Sequence, residues 1–213
     1  MKPVRVVLAS GNPGKLAELS ALLDEPSIRL VSMAQVLSTE FDVEETGATF
    51  EENAWLKAEA VCQATGLPAL ADDSGLAVDA LGGQPGVFSA RYAGVHGDDA
   101  ANNARLLREL AQLPQKERSA RFVCVLAFAI PGPRGEPHRQ ASARGEVFGS
   151  ILEFPRGTGG FGYDPLFEAQ DFPGRSTAEI SSGEKNSISH RGKAARALRL
   201  QLGKWLATVA ADD

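Results

Sequence analysis

Cysteine and histidine are scarce in this chain, which has two cysteines and three histidines among 213 residues. Cys62 and Cys124 each lie in an apolar segment, without a Cys-x-x-Cys motif or a neighbouring histidine. This pattern argues against structural zinc and against a disulfide framework. We expect both cysteines to be small buried hydrophobic residues.

An excess of positive charge and long apolar runs are also missing. The net charge of −5 argues against binding to a nucleic-acid polymer, which needs a basic surface. No apolar run reaches the roughly 20 residues of a membrane helix. The apolar segment 4–9 is too short for a signal peptide and leads into a glycine loop. We therefore expect a cytoplasmic protein that binds no membrane.

The hydrophobic pattern alternates between helices and strands, and a strand-turn-strand unit follows in the middle of the chain. This order predicts an α/β fold, with an elongated mixed β-sheet flanked by helices and two lobes with a cleft between them. No polar linker interrupts residues 1–213, so we expect a single domain. Strands are predicted at 4–9, 28–32, 121–130 and 138–148, with another beginning at 69–71, and helices at 15–23, 49–64, 98–113 and 191–209.

The segment Pro68–Leu76 is the most informative, because a short apolar strand runs into Asp72, Asp73, a hydroxyl and a glycine. Two carboxylates at the exit of a buried strand are placed to hold a hard divalent cation. The alternative is an ordinary strand-to-loop turn, for which Asp, Ser and Gly are common residues. Neighbours on an extended strand point to opposite faces, so the two acids are not expected to face one metal together.

A possible phosphate loop lies between the first strand and the first helix. Backbone N–H groups at a helix start bind anions, and a lysine adds charge. The spacing differs from that of a Walker loop, and a tight turn with a solvated lysine is the alternative. The loop consists of Ser10, Gly11, Asn12, Pro13, Gly14 and Lys15.

Other candidates are weaker alone. Glu44 and Glu45 precede the second helix, where its dipole favours acids. Lys57, inside that helix, either lies along the surface or reaches a phosphate. In the loop Gly159–Pro165, aromatic rings suit stacking on a flat base, although they also anchor ordinary loops. The remaining candidates are an acceptor for base N–H groups and three donors for a base carbonyl, namely Asp164, Lys185, His190 and Arg191.

Together these motifs resemble the inosine triphosphate pyrophosphatase family over nearly the whole chain. The resemblance rests on the order of Ser-Gly-Asn-x-Gly-Lys at 10–15, Glu-Glu-Thr-Gly at 44–47, Ala-Asp-Asp-Ser-Gly-Leu at 71–76, Gly-x-Pro-Gly-Val-x-Ser-Ala-Arg-Tyr at 83–92, Phe-Gly-Tyr-Asp-Pro at 161–165 and Ser-His-Arg-Gly at 189–192. It implies Mg²⁺-dependent hydrolysis of ITP, dITP or XTP to the monophosphate and pyrophosphate. It also implies a homodimer and a nucleotide-binding cleft between two lobes.

The resemblance gives each candidate a role. Asp73 becomes the catalytic base and first metal ligand, with Glu45 second and Glu44 or Asp72 as substitutes or supports. The expected substrate-binding residues are Ser10, Gly11, Asn12, Pro13, Gly14, Lys15, Lys57, Ser74, Phe161, Gly162, Tyr163, Asp164, Lys185, His190 and Arg191.

Two other functions stay open. One is a related nucleotide pyrophosphatase that prefers pyrimidine or modified-guanine triphosphates. The other is a nucleotide-binding module without turnover, against which the paired acids argue, because carboxylates near phosphate do not favour simple binding of a polyanion.

Overall fold

The computed structural model describes residues 2–39 and 41–209, and it shows a mixed sheet flanked by helices. The strands are β1 (Val4–Leu8), β2 (Ile28–Ser32), β3 (Ala69–Val78), β4 (Ser119–Pro131), β5 (Pro137–Ile151) and β6 (Phe167–Ala169), and the helices are α1 (Pro13–Leu23), α2 (Phe50–Thr65), α3 (Asp99–Leu110), α4 (Ser182–Ile188) and α5 (His190–Val209). The strand order is β2-β1-β3-β4-β5-β6. The predicted mixed α/β fold is confirmed.

The first three strands bring the candidate phosphate loop beside β3. β1 pairs in parallel with β2 along its whole length, and with β3 at Val7 and Leu8. The Ala9 amide then donates to the carbonyl of Leu70 at 2.8 Å. The loop that follows β1 therefore starts next to the strand that contains the aspartate pair.

The residues divide into two compact units, each built from separate stretches of chain. The first unit comprises 1–73, 125–145 and 191–213, and the second comprises 74–124 and 146–190. The single-domain interpretation and the cleft stay predictions. None of the helices in the described part of the chain is both long and apolar enough to cross a membrane.

The first unit packs α5 against its strands. Leu198, Leu202 and Trp205 of this helix are buried, as the helical spacing predicts, and Leu206 is half-buried. The Trp205 ring meets Phe128 edge-on at 4.9 Å. This core supports the start of α5, where Arg191 lies.

The second unit has its own core. Leu76, Leu106, Ile151 and Phe167 are all fully buried within one cluster. Tyr163 joins them from the loop Gly159–Pro165, which we call the aromatic loop. The two cysteines are buried, one in each unit, as expected.

The interpretation of Asp72 and Asp73 as residues at the exit of a strand was wrong. β3 continues through both to Val78, and its residues are buried with the exception of half-buried Ser74. Turn-forming residues are accommodated inside a strand here because both carboxylates have cationic partners within the protein.

Two short elements were missed, and α5 has a different start. β6 has only three residues, too few for a periodic signal. α4 is a separate helix before α5, and Ser181 caps it in a reciprocal pair with Glu184. The spacing of Ser181 and Glu184 is that of a capping box, so the sequence did contain a signal for the start of α4.

Candidate functional site

Asp72 and Asp73 are both buried, at 1% and 6% exposure, and their carboxylates have different partners. Asp72 bonds Lys15 and Arg191, whereas Asp73 bonds Lys57. This division agrees with the alternation of side chains along an extended strand.

Asp72 is held between two cations. Its Oδ1 accepts from Lys15 Nζ at 2.6 Å and its Oδ2 from Arg191 Nε at 2.8 Å. Arg191 also donates from Nη1 to Glu18 at 2.9 Å. Burial alone would raise the pKa of Asp72, but Arg191 and Lys15 outweigh it and hold the pKa well below its usual value. Asp72 therefore anchors the loop 10–15 and the start of α5 through its ion pairs with Lys15 and Arg191.

Lys57 joins a second group of charges. Its Nζ donates to Glu45 Oε1 at 2.7 Å, to Asp73 Oδ1 at 2.7 Å and to the Asp72 carbonyl at 2.9 Å. Burial would lower the pKa of this ammonium, but Asp73 and Glu45 raise it, so Lys57 stays charged. One lysine faces two acids, and the group can attract a further cation.

One carboxylate oxygen of Asp73 accepts no hydrogen bond from the described residues. This oxygen, Oδ2, is buried. Burial raises the pKa of Asp73 to about 6, although Lys57 opposes the shift. A buried oxygen without a donor, in a group with excess negative charge, fits a cation ligand or a proton acceptor.

The predicted phosphate loop does form a helix start. The Asn12 side chain accepts from the Gly14 amide at 2.8 Å and caps α1, which begins at Pro13. Ser10 Oγ accepts from the Asn12 amide at 3.1 Å. The N-terminal end of α1 therefore lies just before Lys15, whose Nζ bonds Asp72.

In the second unit, Asp164 organises the aromatic loop. Its Oδ2 accepts from the Phe161 amide at 2.8 Å and from Lys185 Nζ at 2.5 Å, while Oδ1 accepts from Thr177 at 2.9 Å. Gly160 has a φ of +74°, and a Cβ there would lie 2.0 Å from Asp164 Oδ2. Only glycine fits this position. The Asp164 carboxylate therefore already accepts hydrogen bonds from donors within the protein.

The two aromatic residues of the loop differ in exposure. Tyr163 is buried and donates from its hydroxyl to the Ser89 carbonyl at 2.9 Å. Phe161 is 55% exposed, and the Lys185 ammonium lies 5.0 Å from its ring centroid. Tyr163 is thus an anchor, and Phe161 is the ring available for stacking.

A pocket opens beside this loop. The His190 imidazole, half-buried, stacks on the Phe122 ring with centroids 5.0 Å apart and planes 13° apart. No sequence motif includes Phe122 or Thr177, so neither residue was a candidate. The lining residues are Phe122, Val147, Asp164, Phe167, Thr177, Lys185, Ile188, Ser189 and His190.

The predicted residues fall into two groups. The loop 10–15, Glu45, Lys57, Asp73 and Arg191 belong to the first unit, whereas Ser74, Phe161, Gly162, Tyr163, Asp164, Lys185 and His190 belong to the second. Arg191 directs Nε and Nη1 to the carboxylates of Asp72 and Glu18, and its contact with the base stays a prediction. Its partner Glu18 was missed, although it follows Lys15 by one helical turn.

Comparison with known proteins gives a consistent result. The family model described as "Ham1 family" matches residues 6–201. A Geobacter sulfurreducens protein named dITP/XTP pyrophosphatase is 50% identical over 93% of this chain and 96% of its own length. One of the same name from Bacillus subtilis is 47% identical over 90% of this chain and 93% of its own length.

Solved structures agree in fold. The Coxiella burnetii HAM1 protein has a TM-score of 0.83 at 42% identity, covering 94% of this chain and 99% of its own. A nucleoside-triphosphatase / dITP/XTP pyrophosphatase from Mycobacterium abscessus has a TM-score of 0.74 at 48% identity, covering 92% and 98%. The resemblance seen in the motifs is confirmed, and the chain belongs to the Ham1 family.

Proposed function

We propose that this chain hydrolyses the non-standard purine nucleoside triphosphates ITP, dITP and XTP to the monophosphate and pyrophosphate. The observation that supports this most strongly is the charge group of Glu45, Lys57 and Asp73, with its unpartnered buried oxygen. The 50% identity to a relative named dITP/XTP pyrophosphatase supports the choice of substrate.

The acids fit a magnesium ion. Among the residues that the structure describes, no group of three or more His, Cys, Asp or Glu side chains is arranged to hold a metal. Mg²⁺ needs fewer, since one or two carboxylates plus substrate phosphates and water suffice. Glu45 and Asp73 would hold it. A bound Mg²⁺ would lower the pKa of a water and offset phosphate charge.

Asp73 is the proposed proton acceptor for the attacking water. With a pKa raised to about 6 by burial, it is ionised at neutral pH yet more basic than an ordinary aspartate. General bases work best when their pKa lies near the working pH. Lys57 holds the carboxylate in place through Oδ1 and leaves Oδ2 for the proton.

The remaining residues divide between phosphate and base. The amide end of α1, Lys15, Lys57 and Ser74 bind the triphosphate. Residues of the second unit bind the base, with Phe161 stacking on it and Lys185 and His190 donating to the 6-oxo group. Adenine has an amino group at that position, and two opposed donors cost about 1–3 kcal/mol. This mismatch predicts that the enzyme rejects ATP.

A panel of ITP, dITP, XTP, GTP, ATP and pyrimidine triphosphates with Mg²⁺, with pyrophosphate and orthophosphate measured separately, tests the proposal. We expect pyrophosphate from the first three at far higher kcat/KM than from the others. Preference for a pyrimidine triphosphate would favour the related pyrophosphatase, and binding without product would favour a binding module. The homodimer and the cytoplasmic location stay predictions.

A further inference from the structure

Two side chains of helix α3 form hydrogen bonds to the backbone of one residue in the aromatic loop, Gly162. The Gly162 amide donates to Asp99 Oδ2 at 2.6 Å, and the Gly162 carbonyl accepts from Asn103 Nδ2 at 2.9 Å. Asp99 and Asn103 are four residues apart, so both side chains lie on one face of the helix. The two side chains and Gly162 form what we call the α3 clamp, all within the second unit.

The clamp acts on the residue next to Phe161. Gly162 has a φ of +61°, a conformation that favours glycine, and its amide and carbonyl are both fixed. The Phe161 amide is bonded to Asp164. The backbone on both sides of the exposed ring is therefore held, although the ring itself packs little.

Stability of the fold does not account fully for this arrangement. The Asn103 Oδ1 atom is buried and has no hydrogen-bond partner among the described residues. Burying an unpaired amide oxygen costs free energy, which an apolar side chain at the same place would avoid. Such local costs are common where a residue is retained for function.

We propose that Asp99 and Asn103 are positioning residues for the base of the substrate. They act through Gly162 and hold the Phe161 ring in the orientation that stacks on the base. This inference rests on the proposed function, because it assumes a base on Phe161. A ring that is already oriented loses less entropy on binding, so the clamp lowers KM.

The test compares Asp99→Ala and Asn103→Ala with Asp98→Ala in the full-length protein. Asp98 caps α3 by accepting from the Ala101 amide at 2.9 Å, and within the described part of the chain it makes no hydrogen bond to the aromatic loop. Its loss weakens the same helix. It therefore controls for the stability of α3, while Asp99→Asn keeps an acceptor oxygen and should restore near wild-type behaviour.

We expect Asp99→Ala to raise KM for dITP about tenfold, and Asn103→Ala about threefold to fivefold, from the loss of one hydrogen bond each. We expect kcat to stay within about twofold, since the reacting phosphate is not displaced. Inhibition by inorganic tripolyphosphate, which has no base, should not change. Asn103→Ala should lower the Tm less than Asp98→Ala does, because it also removes the unpaired oxygen.

Four results would overturn the inference. If the wild-type protein hydrolyses dITP, an unchanged KM in Asp99→Ala would contradict the clamp and leave the proposed function standing. An equal rise in KM in Asp98→Ala would do the same. If inhibition by tripolyphosphate weakened in Asp99→Ala by the same factor as KM for dITP rose, the variant would have lost structure in general. No dITP turnover in the wild-type protein would instead refute the proposed function, and the clamp with it.

Discussion

Lys57 Nζ lies 2.7 Å from Asp73 Oδ1, while Asp73 Oδ2 has no hydrogen-bond partner among the described residues. One oxygen of the proposed base is thus fixed by a cation and the other is left to react. Burial of the pair keeps the pKa of the carboxyl raised in spite of the lysine.

Replacement of the proposed base should remove turnover and leave the fold intact. Asp73→Asn keeps the size of the side chain and the acceptor for Lys57, but it cannot take a proton at neutral pH. We expect kcat for dITP to fall by about 10²–10⁴-fold, the usual contribution of a general base. Steady-state kinetics with circular dichroism as a check on folding measures this. Wild-type turnover in Asp73→Asn would remove Asp73 from the mechanism.

The same variant should be more stable than the wild type when metal is absent. Because the folded pKa of Asp73, about 6, exceeds the ordinary value of 3.8, wild-type stability is lost as pH rises between the two. The loss approaches about 3 kcal/mol above pH 6. Asp73→Asn does not lose this stability, because an amide does not ionise. Urea unfolding with EDTA should therefore show an unfolding free energy of Asp73→Asn that exceeds the wild-type value slightly near pH 4 and most above pH 7. A difference that shrinks as pH rises would contradict the raised pKa.

Lys57 should set the pH at which the enzyme loses activity in acid. Its ammonium opposes the upward shift in the pKa of Asp73, so Lys57→Met should raise that pKa further. The acidic limb of kcat/KM should then move to higher pH, together with a fall in the maximum. Exposed Lys116 gives a control, and Lys116→Met should leave the profile in place. An acidic limb that does not move in Lys57→Met would separate Lys57 from the titration of Asp73.

Arg191 should matter more for stability than for reading the base. It is 3% exposed and pairs with the fully buried Asp72 carboxylate, so Arg191→Ala leaves a buried charge without a main partner. Breaking such a pair costs about 3–5 kcal/mol. Arg199 on the same helix pairs with Asp24 at 3.6 Å in a far more exposed setting, and Arg199→Ala should cost at most about 1 kcal/mol.

Chemical denaturation of both arginine variants measures the difference. A rise in KM for dITP with no loss of stability in Arg191→Ala would contradict the structural role and support contact between Arg191 and the base.

Local patterns were predictable from the sequence, and distant pairings were not. The spacing of Thr49 and Glu52 is that of a capping box, and this box caps α2 in the structure. Asp72 and Arg191 are 119 positions apart, and no periodicity connects them. Without that partner, turn-forming residues at 72–75 indicated the end of a strand, whereas ion pairing lets β3 continue.

The aromatic loop shows the same limit. Its glycines and rings identified a candidate base site, but they did not tell Tyr163, which is buried, from Phe161, which is exposed. That difference depends on the core of the second unit and on α3. The sequence pattern of Asp99 and Asn103 indicates only a helix, since their contact with Gly162 exists only in the folded chain.

The most direct test of the account is hydrolysis of dITP in ¹⁸O-labelled water with Mg²⁺, followed by mass analysis of both products. Attack on the α-phosphorus predicts one ¹⁸O atom in the monophosphate and unlabelled pyrophosphate, with label incorporation nearly absent for Asp73→Asn. Label in pyrophosphate or orthophosphate, or no product from the wild-type protein, would contradict it.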